Sequence, residues 1–162
     1  LTDAALIGYD TACKVNPPLR EAADVEALRA ALADGTLDAI ATDHAPHTSL
    51  EKDCEFSLAK PGMLGLELCF GLLLELVGKN GLTLARLLDA LSSAPARIAG
   101  IAPPRLREDT PAELVLVDPE RVWKADALRS KSRNTPFLGK ELRGKVLLTL
   151  ARGSVAFDGV GS

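Results

Sequence analysis

Residues 37–47 spell LDAIATDHAPH, and this stretch decides how the chain is interpreted. Its first five residues, 37–41, are mostly apolar and predict a short buried strand. The strand runs directly into Asp43 and His44, after which Pro46 turns the chain. Polar side chains at the carboxyl end of a buried strand are where an α/β barrel keeps its chemistry. We therefore predict an α/β fold with a functional site at residues 42–47.

The composition is that of an ordinary globular protein, with 47% hydrophobic and 25% charged residues in 162. The net charge is −3 and the lysines and arginines are scattered, which predicts no nucleic-acid partner and no anionic membrane surface. Three widely spaced cysteines form no disulfide framework, which favours a reducing cytoplasm. No apolar run reaches the roughly 18 residues of a membrane span. We therefore expect a cytoplasmic protein.

The remaining pattern divides the chain in two. Apolar residues at helical spacing predict helices at 24–33 (stopped by Gly35), at 66–77, from Leu84 behind a Thr83 cap, and at 95–99. Residues 43–62 are expected to form a long loop, and a linker begins at Ala102-Pro103-Pro104. Strands are predicted at 112–117, 141–151 and 155–157, and Asp118-Pro119 is expected to stop the first. Helix–strand material thus comes first, and mostly β material follows.

Asp43 is the main chemical candidate. A carboxylate at the end of a strand can bind a divalent metal, and it can exchange a proton with a metal-bound water that zinc has acidified. The alternative is that Asp43 only caps the following turn. His47 could donate a hydrogen bond to an anionic substrate or be a solvated loop histidine. His44 would point away from Asp43 on an extended backbone, so we assign it a structural role.

Two further segments are candidates for ligand binding. In KVNPPLR, residues 14–20, two prolines hold Asn16 in one orientation, and an amide suits a carboxylate or ureide ligand. The alternative is a rigid loop entering a helix. Pro61-Gly62 lets the backbone approach a ligand closely, or is only the start of the next helix. Two histidines and one aspartate are too few for a closed zinc site of about four ligands.

Together these residues resemble the C-terminal half of the class I dihydroorotases, within the amidohydrolase superfamily. The resemblance covers nearly the whole chain and keeps the order of the motifs. KVNPPLR followed by TDHAPH at this spacing is its most specific part. The other matching segments are DVEAL at 24–28, EKDC at 51–54, PGMLGLE at 61–67, SAPARIAGI at 93–101, AELVLVDP at 112–119 and NTPFLG at 134–139.

The resemblance implies a fold and a reaction. The fold is the C-terminal part of a (β/α)8 barrel, or TIM barrel, over residues 1–101, followed by strands of a small β-sandwich over 102–162. The reaction is the zinc-dependent, reversible hydrolysis of L-dihydroorotate to N-carbamoyl-L-aspartate in pyrimidine biosynthesis. Asp43 matches the aspartate that binds one zinc ion and acts as general base and acid. Residues matching the substrate-binding positions are Asn16, His47, Pro61 and Gly62, although relatives have Phe at the position of Pro61.

One departure from the family pattern is serious. The His-x-His metal motif, the bridging ligand and two later metal histidines have no counterpart here, because the chain has no histidine outside 44–47. A whole barrel needs about 250 residues. We therefore expect the missing N-terminal half of the barrel to supply most ligands for the one or two zinc ions of a complete site. Without it we expect the chain to be inactive and to expose apolar faces, so that it self-associates or needs that half. A monomeric, metal-free 162-residue protein that hydrolyses dihydroorotate would refute this expectation.

Two alternatives to a catalytic dihydroorotase stay open. The first is a non-catalytic dihydroorotase-like chain that acts as a structural partner of aspartate carbamoyltransferase, which the missing ligands favour and the intact TDHAPH disfavours. The partner of such a chain could also be a second copy of itself, which would form a homodimer. The second is a related cyclic amidohydrolase of the hydantoinase type.

Overall fold

A computed structural model describes residues 1–103 and 105–160 of the chain. Short 3-10 turns lie at Asp3–Leu6 and Thr11–Cys13. The α-helices are α1 (Ala22–Asp34), α2 (Ser49–Lys52), α3 (Cys69–Leu74), α4 (Leu84–Leu88) and α5 (Ala94–Ile98), with a π-helical turn at Asp89–Ser93 joining the last two. The strands are β1 (Leu114–Lys124), β2 (Glu141–Ala151) and β3 (Ser154–Asp158). Helical material therefore precedes β material, as the sequence predicts.

The helices begin and end where local signals place them. Gly35 ends α1 with a φ of 90°, a left-handed conformation that suits glycine. The Thr83 side chain accepts a hydrogen bond from the Arg86 N–H and caps α4. The helix predicted over 66–77 is shorter than expected, since regular α structure covers only Cys69–Leu74 and the flanking residues form turns.

The three strands form one antiparallel sheet in the order β1-β2-β3. Leu114 pairs with Leu150 at one end of the β1–β2 ladder, and Lys124 pairs with Glu141 at the other. The expected stop at Asp118-Pro119 is wrong. Instead the register shifts between Asp118 and Val122, and β1 continues beyond the irregularity. Proline cannot donate to the ladder, so a bulge lets the strand pass it.

The strand predicted at 37–41 is wrong. Residues 38–43 belong to no sheet, and Leu37 and Ala41 are exposed rather than buried. Backbone hydrogen bonds tie this segment to helical residues instead, from the Leu37 N–H to the Ala31 carbonyl and from the Ile40 N–H to the Ala90 carbonyl, both at 2.9 Å. A strand requires neighbouring strands for its backbone groups, and the described residues place none beside this segment.

Two buried clusters hold the molecule together. One contains Leu64, Leu68, Ala125, Leu128 and Leu142, with Leu72, Trp123 and Phe137 packed against it. It therefore joins residues from both predicted portions of the chain. The second contains Leu32, Leu82 and Ala90 and packs α1 against the α4 region.

The boundary between residues 101 and 102 stays a prediction. Pro104 of the predicted linker, and residues 161 and 162 of the predicted β portion, lie outside the described residues. Within the described part of the chain, no helix is long and apolar enough to cross a membrane.

Candidate functional site

The residues that follow Asp43 pair with the loop that contains Met63. His44 forms an isolated parallel bridge with Met63, and the Ala45 N–H donates to the Met63 carbonyl at 3.0 Å. Nδ1 of His44 accepts hydrogen bonds from the N–H groups of Gly65 and Leu66, at 3.2 and 3.1 Å. His44 thus orders the turn before α3, in agreement with the structural role predicted for it.

Asp43 lies at the open end of this pairing. Its φ of 44° places it in the left-handed region, which aspartate tolerates better than most residues. Its side chain is exposed and makes no hydrogen bond or ion pair with residues 1–103 or 105–160. The carboxylate therefore caps no turn within the described chain and is open to a ligand or a proton.

His47 faces the loop that contains Pro61. Its Nε2 lies 3.0 Å from the Pro61 carbonyl oxygen, and its Nδ1 lies 3.6 Å from a carboxylate oxygen of Glu51. The side chain is only 20% exposed, so it is not a solvated loop histidine. The backbone N–H of Thr48 is the main cause that holds the pKa of the Glu51 carboxyl below its ordinary value, with a smaller contribution from His47. Glu51 therefore stays ionised beside the imidazole at neutral pH.

Gly62 allows the two loops to touch. A Cβ at this position would lie 2.6 Å from the Ala45 Cβ and 2.9 Å from Nε2 of His47, and the φ of Gly62 is 134°. Both the close approach and the backbone conformation require glycine. The Gly62 N–H donates to the Lys14 carbonyl at 2.8 Å, which joins a third segment to the site.

That third segment contains Asn16. Asn16 is exposed and precedes a cis peptide bond to Pro17. The segment is tied to the 52–62 loop by two lysines: Nζ of Lys14 donates to the Phe56 carbonyl at 2.7 Å, and Nζ of Lys52 donates to the Thr11 carbonyl at 2.9 Å. Burial lowers the pKa of the Lys52 ammonium, and the charge of Lys14 lowers it further. The segment of Asn16 therefore contacts the Pro61-Gly62 loop through Lys14.

Asn134 is the site residue that reasoning from the sequence missed. It lies between β1 and β2, 87 residues after His47 in the chain, and accepts a hydrogen bond from the His47 N–H at 3.0 Å. Its Nδ2 donates to the carbonyls of Ala45 and Gly62, at 2.8 and 3.2 Å. The conspicuous NTPFLG segment marks its position, but no local pattern indicates which loops the amide would reach.

The described residues do not complete a metal site. Among residues 1–103 and 105–160, no group of three His, Cys, Asp or Glu side chains is arranged to hold an ion. His44 uses Nδ1, and His47 uses Nε2, to bind backbone groups. A zinc ion takes about four ligands, and no such set lies together among the described residues. These residues alone therefore do not fit zinc.

Comparison with known proteins gives a consistent result. A family model described as the amidohydrolase family matches residues 13–156. The dihydroorotase of Citrifermentans bemidjiense is 47% identical over 160 residues, which is 98% of this chain and 38% of that protein. The dihydroorotase of Geobacter metallireducens is 49% identical over 97% of this chain and 38% of its own length. The chain thus spans just over a third of the curated relatives it matches.

Solved structures give the same fold family. An L-hydantoinase (dihydropyrimidinase) from Arthrobacter aurescens matches with a TM-score of 0.87 and 31% identity, over 98% of this chain and 37% of its own. A dihydropyrimidinase from Brevibacillus agri matches with a TM-score of 0.76 and 25% identity, over 92% of this chain and 34% of its own. The family model and the dihydroorotase relatives confirm the resemblance found in the sequence.

Proposed function

Because this chain belongs to the amidohydrolase family, we propose that it provides the C-terminal portion of a dihydroorotase. The observation that carries the proposal is the 47–49% identity to curated dihydroorotases over almost all of the chain. The reaction would be the reversible hydrolysis of L-dihydroorotate to N-carbamoyl-L-aspartate, in pyrimidine biosynthesis in the cytoplasm. The (β/α)8 barrel and the β-sandwich belong to the same proposal.

Asp43 would move the proton in this reaction. Hydrolysis adds the oxygen of water to the amide carbon and breaks the carbon–nitrogen bond, so one proton of the water must reach the leaving nitrogen. An ionised carboxylate can accept that proton and then return it to nitrogen. The support is the open position of Asp43, whose carboxylate no described residue engages.

The anionic substrate would be bound by three segments that contact one another, those of Asn16, His47 and Pro61-Gly62. Pro61 has no N–H, so the backbone donor of this pair is the Gly62 N–H, which would have to exchange the Lys14 carbonyl for the substrate carboxylate. His47 and Asn16 would add side-chain donors. Nε2 of His47 lies against the Pro61 carbonyl, so substrate would compete for that nitrogen or use a shifted ring.

Zinc enters the proposal through one residue. The metal would acidify the attacking water, and Asp43 would be one of its ligands. The described residues do not complete the coordination, so the other ligands would lie in the N-terminal half of the barrel.

The test is hydrolysis of L-dihydroorotate by the protein as its complete reading frame encodes it. Asp43→Asn keeps the size of the side chain and removes the proton acceptor, so we expect the rate to fall by about 10²- to 10⁴-fold. Asp53→Asn is the matched control, because Asp53 is also an exposed aspartate of this loop. An Asp43→Asn protein with full activity would sink the assignment.

A second candidate function follows from the structural match to an L-hydantoinase. A cyclic amidohydrolase of that type would hydrolyse hydantoins through the same Asp43. Assaying hydantoin beside dihydroorotate separates the two. If neither is hydrolysed, the hypothesis of a non-catalytic chain is favoured. Binding to aspartate carbamoyltransferase and formation of a homodimer should then be measured.

A further inference from the structure

We propose that Asn134 is a positioning residue, which sets the Pro61-Gly62 backbone and the His47 loop relative to each other and so determines substrate affinity. This inference rests on the proposed function. The hydrogen bonds of the Asn134 side chain go to backbone groups of Ala45, His47 and Gly62. Asn134 therefore acts through the backbone of the loops that hold the candidate substrate-binding residues.

Both donors and the acceptor oxygen of the Asn134 amide form hydrogen bonds. A primary amide has two N–H donors and a carbonyl acceptor. Nδ2 of Asn134 donates to Ala45 and Gly62, and Oδ1 accepts from the His47 N–H. Asn134 is only 7% exposed, so water has little access to replace these bonds.

The hydrogen bonds from Nδ2 of Asn134 go to two separate loops. Ala45 and His47 lie on the loop that follows Asp43, and Gly62 lies on the other. The two bonds from Nδ2 therefore set one loop against the other. His47 Nε2 and the Pro61 carbonyl meet within this arrangement, at 3.0 Å.

Hydrogen bonds and core packing fix the segment that contains Asn134. Its backbone carbonyl accepts from the Leu64 N–H at 2.9 Å. Upstream, the Glu67 carboxylate accepts from the N–H groups of Arg129 and Ser130, at 2.7 and 2.8 Å. Downstream, Phe137 packs against the buried cluster that contains Leu64 and Leu142. Because the packed core fixes the backbone around Asn134, the Asn134 side chain holds the loops of His47 and Gly62 in place relative to that core.

The test uses Asn134→Asp in the protein as its complete reading frame encodes it. This variant keeps an oxygen for the His47 N–H, but it places a carboxylate oxygen against the two carbonyls that Nδ2 now binds. We expect KM for L-dihydroorotate to rise about tenfold or more, as for the loss of one buried hydrogen bond. We expect kcat to change much less, because the Asp43 carboxylate is untouched.

Thr135→Val is the matched control. Thr135 is the neighbouring residue and is also buried, and its hydroxyl accepts a hydrogen bond from the nearby Phe137 N–H. We expect it to lower thermal stability and leave KM unchanged. If Thr135→Val raises KM as much as Asn134→Asp, or if Asn134→Asp leaves KM unchanged, the positioning role is overturned. Should Asn134→Asp not fold, Asn134→Ser keeps one hydroxyl donor, and a wild-type KM in that variant equally overturns the role.

A second readout separates this inference from the proposed function. If the wild-type protein does not hydrolyse dihydroorotate, the proposed function fails. Amide hydrogen exchange at His47 then decides the inference, because Asn134→Ala removes the acceptor of that N–H. Faster exchange at His47 in Asn134→Ala, but not in Thr135→Val, supports the positioning role, and unchanged exchange contradicts it.

Discussion

At the scale of single residues, Gly62 is the tightest point of the candidate site. Its neighbours leave no room for a Cβ, because such an atom would lie 2.6 Å from the Ala45 Cβ. Its carbonyl and N–H are both bonded, to Asn134 and to Lys14. One residue without a side chain therefore joins three segments that lie far apart in the sequence.

We predict that Gly62→Ala destabilises the protein by more than a positive φ alone explains. Gly81→Ala is the matched control, since Gly81 has a φ of 79° with nothing within 4 Å of a Cβ. A left-handed backbone at Gly81 costs an alanine on the order of 1 kcal/mol. The φ of 134° at Gly62 lies beyond that region and costs at least as much, and overlap in a packed site adds about 1–3 kcal/mol. Denaturant unfolding measures both variants, and equal losses would mean that the contact with Ala45 is easily relieved.

At the scale of elements, α2 is four residues long and depends on its cap. The Thr48 hydroxyl accepts from the Glu51 N–H, while the Glu51 carboxylate accepts from the Thr48 N–H. These paired bonds satisfy N–H groups that a helix of one turn cannot satisfy itself. Because His47 precedes the cap and Lys52 follows it, α2 fixes the spacing between the imidazole and the lysine that holds the Thr11 segment.

We predict that Glu51 makes the protein less stable in acid. Its pKa is lowered from 4.5 on folding, so its contribution is present above that value and is lost as the pH falls through the lower folded pKa. Glu51→Gln keeps a capping side chain without the charge, so its unfolding free energy should depend less on pH as the pH falls below 4.5. Glu55→Gln, at an exposed glutamate of the same loop, should keep the wild-type pH dependence. A Glu51→Gln curve identical to wild type would contradict the prediction.

At the scale of the whole molecule, α3 packs closely on β2. A Cβ on Gly71 of α3 would lie 3.2 Å from the Leu142 Cβ, and a Cβ on Gly144 of β2 would lie 2.6 Å from a methyl carbon of Leu74. Leu142 is 1% exposed and belongs to the buried cluster with Leu64 and Leu68. The sheet is thus fastened to the helix that follows the Pro61-Gly62 loop.

We predict that Leu142→Ala lowers the free energy of unfolding by about 2–5 kcal/mol, because it leaves a cavity in this shared cluster. Val155→Ala on β3 is the control: Val155 is 62% exposed, and we expect a change within about 0.5 kcal/mol. Urea unfolding measures both. Similar losses in the two variants would show that the cluster is not the core that joins helices to sheet.

Local chemistry accounts for much of what could be predicted. The ends of α1 and α4 follow from Gly35 and Thr83, whose conformational and capping preferences act within one turn. Runs of strand-favouring residues located the three strands that the described residues form. The stop expected at Asp118-Pro119 was wrong because a bulge, which depends on the partner strand, can absorb a proline.

By itself the sequence determined the family, the segments that contain Asp43, Asn16, His47 and Gly62, and the kinds of elements around them, because motif chemistry and residue spacing are local properties. Only the tertiary structure decided that residues 37–41 pair with no strand of the described chain and that the α3 region and the sheet share a buried cluster. It also decided that Asn134 binds Ala45, His47 and Gly62, at sequence separations of 72 to 89 residues. Hydrogen bonds over such separations depend on where the packed core places each loop, and no local pattern encodes that.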